Sequence, residues 1–114
     1  MIDTHCHILD PPLGDSPEAV CAAASAAGCT GLFAVSTTAA TWGALIERRL
    51  ELQAWLPDTR IALGLHPWFS HEAPEGWDEQ LAARAPHADA IGEIGLDRGD
   101  RAPDLSVQRP VFAT

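Results

Sequence analysis

Asp3-Thr4-His5-Cys6-His7 places two histidines one residue apart, just after the apolar start Met1-Ile2. On a β-strand alternate side chains share a face, so His5 and His7 project to the same side about 7 Å apart along the backbone. From that spacing two imidazoles can converge on one metal ion at about 2.1 Å per bond. Cys6 faces the other way and reads as a small buried thiol against a helix rather than a third ligand. A second polar island interrupts the apolar run Ala90-Ile91-Gly92-Glu93-Ile94-Gly95-Leu96-Asp97. A carboxylate flanked by Ile and Gly implies a charge held at a strand end, where a nearby cation offsets the cost of its desolvation.

The elements that must position these residues follow from an alternation of short apolar runs with helical stretches, the pattern of βα units around a parallel sheet. Strands are expected at about 1–6, 31–36, 60–64 and 88–94. Ser16 as N-cap and Pro17 at the first helical position open a first helix, which Gly28 stops. A second helix spans about 41–56, with Trp42, Leu45, Ile46, Leu52 and Leu56 at near-helical spacing and Pro57 as terminator. A shorter helix at about 75–84 puts Trp77 and Leu81 on one face, and residues 104–114 read as the opening turns of another. In this register His5, His7, Ser36, Thr37, His66, Glu93 and Asp97 gather at or just beyond the C-terminal ends of four parallel strands. Barrels and open α/β sheets build their sites there.

With 114 residues, 46% of them hydrophobic and 20% charged, the chain has the composition of one soluble globular domain. The formal net charge of -9 argues against a basic surface that grips a nucleic-acid backbone by counterion release. Any phosphate substrate would be held mainly by metal ions and backbone amides. All 7 basic residues are arginine, a bias that speaks of a GC-rich gene more than of function. Cys6, Cys21 and Cys29 form no C-x-x-C pair, so neither a disulfide framework nor a zinc knuckle is expected, and the reduced cytoplasm is the natural compartment. The stretch 20–35 is broken by Gly28 and Gly31 and reads as helix, turn and strand rather than a membrane span. No leader sequence is recognised before the histidine pair. Serine or thiol nucleophilic catalysis has no support, because no G-x-S-x-G elbow is present.

Taken in order and spacing, Asp3-Thr4-His5-Cys6-His7, Gly64-Leu65-His66-Pro67, Gly92-Glu93-Ile94-Gly95-Leu96-Asp97 and Gln108-Arg109 with Val111-Phe112 resemble the N-terminal landmarks of the TatD family of metal-dependent hydrolases, in the amidohydrolase superfamily. The resemblance runs along essentially the whole chain. It implies an α/β fold of parallel (β/α) units, the N-terminal half of a TIM-type (β/α)8 barrel, with residues 1–114 as one partial domain of about four βα units. It also implies two-metal hydrolysis of phosphodiester bonds, of the deoxyribonuclease type, with zinc, manganese or magnesium as the divalent ions. By resemblance His5 and His7 bind the first metal, and Glu93 contacts or bridges the pair as the catalytic carboxylate.

His66 and Asp97 are substrate-side candidates. The alternatives are loop packing with Trp68 for His66, and for Asp97 a helix cap or an ion pair with Arg98 or Arg101. Ser36 and Thr37 either line the mouth or cap the following helix, and His71 and His87 read as surface residues. DNA or another phosphodiester is the implied partner, with no membrane and no specific protein partner. A complete barrel needs about 250 residues, and the family's further metal-binding histidines and its aspartate have no counterparts here. The chain is therefore expected to be truncated and inactive alone. The alternative reading is a non-catalytic remnant that still binds a divalent metal. A third, amide or lactone hydrolysis at a carboxylated lysine, is disfavoured because the chain contains no lysine.

Overall fold

Strands β1 (Ile2–Cys6), β2 (Gly31–Val35), β3 (Arg60–Leu63) and β4 (Ala90–Ile91) form one parallel sheet in chain order, in a computed structural model that describes residues 1–113. Helices α1 (Pro17–Ala26), α2 (Trp42–Trp55) and α3 (Trp77–Arg84) connect successive strands, and α4 (Leu105–Phe112) follows β4. This is the expected α/β architecture, half of a TIM-type barrel. Register is carried by pairs such as Asp3 with Leu32, Ala34 with Ile61, and Leu63 with Ile91.

The strand period of two decides which residues meet the helices. Leu32 and Ala34 on β2 and Ile61 and Leu63 on β3 pack with Cys6, Cys21, Trp42, Leu45, Leu52 and Leu56 into one core. Cys6 is thus the buried thiol its position implied. Burial and then the nearby Asp3 carboxylate push its pKa up to about 11, so it stays a neutral thiol. The Trp42 indole donates to the Gly64 carbonyl at 2.9 Å and pins α2 to the end of β3.

The fourth strand is shorter than the expected 88–94. Its ladder ends at Ile91 because the chain then crosses the end of β3: Gly92 N–H donates to Leu63 O at 2.9 Å, and Glu93 N–H reaches Ser36 O at 3.1 Å. Gly64 makes that crossing possible, since a Cβ there would lie 2.4 Å from the Glu93 carbonyl oxygen. Ser36 is buried, and its hydroxyl donates to Gly64 O and accepts from Gly64 N–H, so it joins β2 to β3 rather than lining a mouth.

Helix ends also differ in detail. Ser16 makes no side-chain capping bond to α1, whereas Gly28 takes the expected positive φ of 85° after the helix ends. Gly76, with φ 65°, delays α3 until Trp77. A 3₁₀ segment at Pro67–Glu72, not foreseen from sequence, follows the His66-Pro67 step. Asp104 caps α4 by accepting from Ser106 N–H at 2.8 Å. Thr114, the end of the expected last helix, lies outside the described residues. Among the described residues no helix is long and apolar enough to cross a membrane.

Candidate metal centre

β1 delivers His5 from its exposed face, and His7 follows one residue beyond the strand end. Asp3 accepts from His5 N–H at 3.1 Å, which steadies the backbone between them. His7 Nδ1 lies 3.0 Å from the Val35 carbonyl. A carbonyl can only accept, so Nδ1 carries the proton and Nε2 offers its lone pair outward. Glu93, carried across β3 over Gly64, meets both rings. His5 Nε2 is 3.6 Å from Glu93 Oε1, His7 Nε2 is 3.3 Å from Glu93 Oε2, and the two Nε2 atoms are 3.2 Å apart.

Those separations are informative. Two donors each about 2.1 Å from a common ion lie about 3.0–3.4 Å apart at octahedral or tetrahedral angles. The two Nε2 atoms, 3.2 Å apart, fit one common ion, and with a Glu93 oxygen facing each of them, at 3.6 Å from His5 and 3.3 Å from His7, two imidazoles and a carboxylate are a suitable donor set. Among the described residues no other group of three His, Cys, Asp or Glu side chains gathers its ligand atoms this closely, and Cys6 is not part of this one.

Beside this cluster lies a cleft of about 300 Å³ lined by His7, Asp10, Thr37, His66, Trp68, Phe69 and Glu93. His66 is fixed at both its backbone and its ring: its N–H donates to Thr37 O at 2.8 Å, and its Nδ1 accepts from Trp68 N–H at 3.1 Å. With Nδ1 occupied as an acceptor, the neutral ring carries its proton on Nε2, which stands 3.7 Å from Glu93 Oε1. His66 therefore presents a donor to the cleft, not a metal-binding lone pair.

Asp97 does not line the cleft, caps no described helix, and forms no described ion pair with Arg98 or Arg101. Its carboxylate accepts instead from Gly99 N–H at 2.7 Å and from the Trp68 indole. The Gly99 N–H first, then the indole, holds its pKa below the ordinary carboxylate value. Arg101 sits 5.4 Å from the centroid of the same indole.

Asp10 is a cleft residue that sequence reasoning missed. Its Oδ2 accepts from Thr37 Oγ1 at 3.2 Å and lies 4.0 Å from His7 Nδ1. The available signal is an aspartate three residues past the histidine pair, at the head of the Asp10-Pro11-Pro12 stretch. His71 pairs with Glu72 at 3.6 Å on the surface and His87 is exposed, both outside the cleft. A separate apolar cavity of about 210 Å³ between α3 and α4, lined by Leu65, Trp77, Leu81 and Val111 among others, contains no titratable side chain.

A family profile described as TatD related DNase matches residues 2–114. Among solved structures the chain is similar to YjjV, a TatD homologue from Escherichia coli K12. The two share 31% sequence identity and a TM-score of 0.82, over 99% of this chain and 44% of the YjjV chain. The chain thus spans less than half the length of that relative. No curated protein matches it.

Proposed function

The chain belongs to the TatD-related DNase family, and on that premise we propose that His5, His7 and Glu93 hold a divalent metal ion in a site for phosphodiester hydrolysis of the deoxyribonuclease type. The observation that carries this reading is the convergence of the His5 and His7 Nε2 atoms, 3.2 Å apart, on the two oxygens of the Glu93 carboxylate. His5 and His7 bind through Nε2, and the Val35 carbonyl orients the His7 ring for that task. Glu93 turns one oxygen toward each histidine, so its carboxylate is placed to contact one ion or to bridge two. Zinc, manganese and magnesium all suit mixed nitrogen and oxygen donors. When bound, such ions supply the positive charge that polarises a phosphoryl oxygen and makes water available as a nucleophile near neutral pH.

The rest of the work belongs to the chain. His66 directs its Nε2–H to the cleft beside Glu93, in position to donate to a non-bridging phosphate oxygen. Asp97 lies outside the cleft lining. With a formal charge of -9 the chain gains little from counterion release, so substrate binding rests on the ion and on donors such as His66. Three side chains serve one ion well and two ions poorly. The chain by itself is therefore expected to bind metal and to cleave DNA slowly or not at all.

The test has two parts. Calorimetric titration with zinc or manganese should show binding to the 114-residue chain that weakens at least about tenfold in His5→Ala and Glu93→Ala. Joined in frame to the C-terminal part of a full-length relative, the chain should release nucleotides from a labelled oligonucleotide in a chelator-sensitive way. Unchanged metal binding in Glu93→Ala would remove the assignment of the site, and an active fusion indifferent to that substitution would remove its role in hydrolysis.

A further inference from the structure

The route by which the cleft donor is held leads out of the cleft to a residue that touches no substrate. Trp68 supplies the backbone N–H that occupies His66 Nδ1, and the two rings meet edge to face with centroids 4.9 Å apart. The far end of the same tryptophan is anchored, because its indole N–H donates to Asp97 Oδ2. Asp97 is held in turn by a third residue. Gln108 on α4, only 1% exposed, accepts from Asp97 N–H at 2.8 Å and donates to Asp97 O at 2.7 Å. Both backbone polar groups of Asp97 and both of its carboxylate oxygens are thus engaged by named partners.

We propose that Asp97 is a positioning residue, which through the Trp68 indole holds His66 in the Nε2–H tautomer and aims that donor at an anionic group in the cleft. The inference rests on reading the cleft as the substrate site and adds to it a residue that the cleft lining does not include. The chemistry favours an anionic ligand such as a phosphodiester: a neutral imidazole whose Nδ1 is filled by a backbone donor can offer the cleft nothing but N–H. With the other tautomer, Nδ1–H and the Trp68 N–H would face each other as two donors, so loosening Trp68 is what allows the ring to turn or the tautomers to mix.

A purely structural Asp97 would support only the turn through Gly99, and two substitutions separate the cases. Asp97→Asn keeps one acceptor oxygen, enough for Gly99 N–H but not also for the indole. Trp68→Phe leaves Asp97 and its turn in place and removes the indole N–H while keeping an aromatic ring beside His66.

The readout is the pair of His66 ring-nitrogen shifts in long-range proton–nitrogen correlation spectra of the full chain. Spectra are taken in chelator and about 2 pH units above the ordinary histidine value of about 6.5, where the ring is neutral. The native chain should show one protonated-type and one lone-pair-type nitrogen, widely separated. In both variants the separation should fall to about half or less, the mark of mixed tautomers. Zinc affinity should stay within about threefold of native in both variants, because neither residue touches His5, His7 or Glu93. An unchanged His66 signature in Trp68→Phe overturns the proposal, as does a loss of zinc affinity as large as that of Glu93→Ala. A tautomer that responds as expected while no fusion cleaves DNA leaves the positioning role standing and removes the hydrolase reading.

Discussion

His7 stands between a strand residue and a loop residue, Cys6 and Ile8, that are 8% and 0% exposed, whereas Glu93 follows a two-residue strand and lies between Ile91 and Ile94 at 44% and 57%. The two side chains meet at 3.3 Å, yet the chain holds them by different means. Around β1, β2 and β3 the work is done by burial, at about 1.5–3 kcal/mol for each large side chain taken out of water. From Gly92 to Gln108 it is done by directional bonds, each contributing about 0.5–1.5 kcal/mol net. These are the Gly92 and Glu93 N–H groups, the two-bond grip of Gln108 on Asp97, and the Asp104 cap. The carboxylate of the candidate site thus sits on the less buried part, which should open at lower free energy than the sheet. Metal binding across the two regions would stabilise the looser one, since the ion binds only when Glu93 has joined the histidines.

The largest effect should come from the packed region. Leu63→Ala removes a fully buried side chain from the centre of the core and should cost about 2–5 kcal/mol in urea unfolding, whereas Ile94→Ala at the exposed segment should cost about 0.5 kcal/mol or less. Equal losses at the two positions would erase the distinction. Gly64→Ala probes the seam between the regions. The added methyl meets the Glu93 carbonyl at 2.4 Å and should cost about 1–3 kcal/mol. Because relief requires Glu93 to move, zinc affinity should fall more steeply than in a core variant of equal stability, and titration of both variants side by side decides this.

The smallest effect concerns pH. Asp104 is held below its ordinary value of 3.8, chiefly by the Ser106 N–H. A carboxylate with a depressed folded-state pKa adds stability that is fully present above the unfolded value and disappears as pH falls through the folded one. Protection factors of the α4 amides should therefore fall below about pH 4, before those of β2 do. Asp104→Asn, which can still cap, should flatten that dependence. A simultaneous fall in the protection of both elements would show that they open as one unit.

Much of the candidate site was legible because its determinants are local. The two-residue period of a strand puts His5 and His7 on one face and Cys6 on the other, and the structure keeps that outcome although β1 shifts register against β2 between Asp3 and Cys6 and ends before His7. Alternating strands and helices foretold four parallel strands in chain order, and with them the end of the sheet where His66 and Glu93 would be found. Less legible were the partners. Asp97 has Arg98 and Arg101 as close neighbours in sequence, but its indole partner lies 29 residues earlier. Ser36, expected at a mouth or a cap, bridges to Gly64 at a separation of 28 residues. Asp10 joined the cleft through Thr37, which is 27 residues away.

Periodicity, composition and motif order therefore determined the class of fold, the sheet end at which the candidate site lies and the pair of imidazoles that share a face. Tertiary structure alone decided that β4 stops at Ile91, that the chain crosses β3 over the bare Cα of Gly64, and that Glu93 reaches the histidines. It also decided the tautomers, since His7 Nδ1 meets the Val35 carbonyl while His66 Nδ1 meets the Trp68 N–H. The physical reason is range. A strand's alternation is set by bonds between adjacent residues, whereas a donor's partner is set by which distant backbone group the packed sheet brings within about 3 Å.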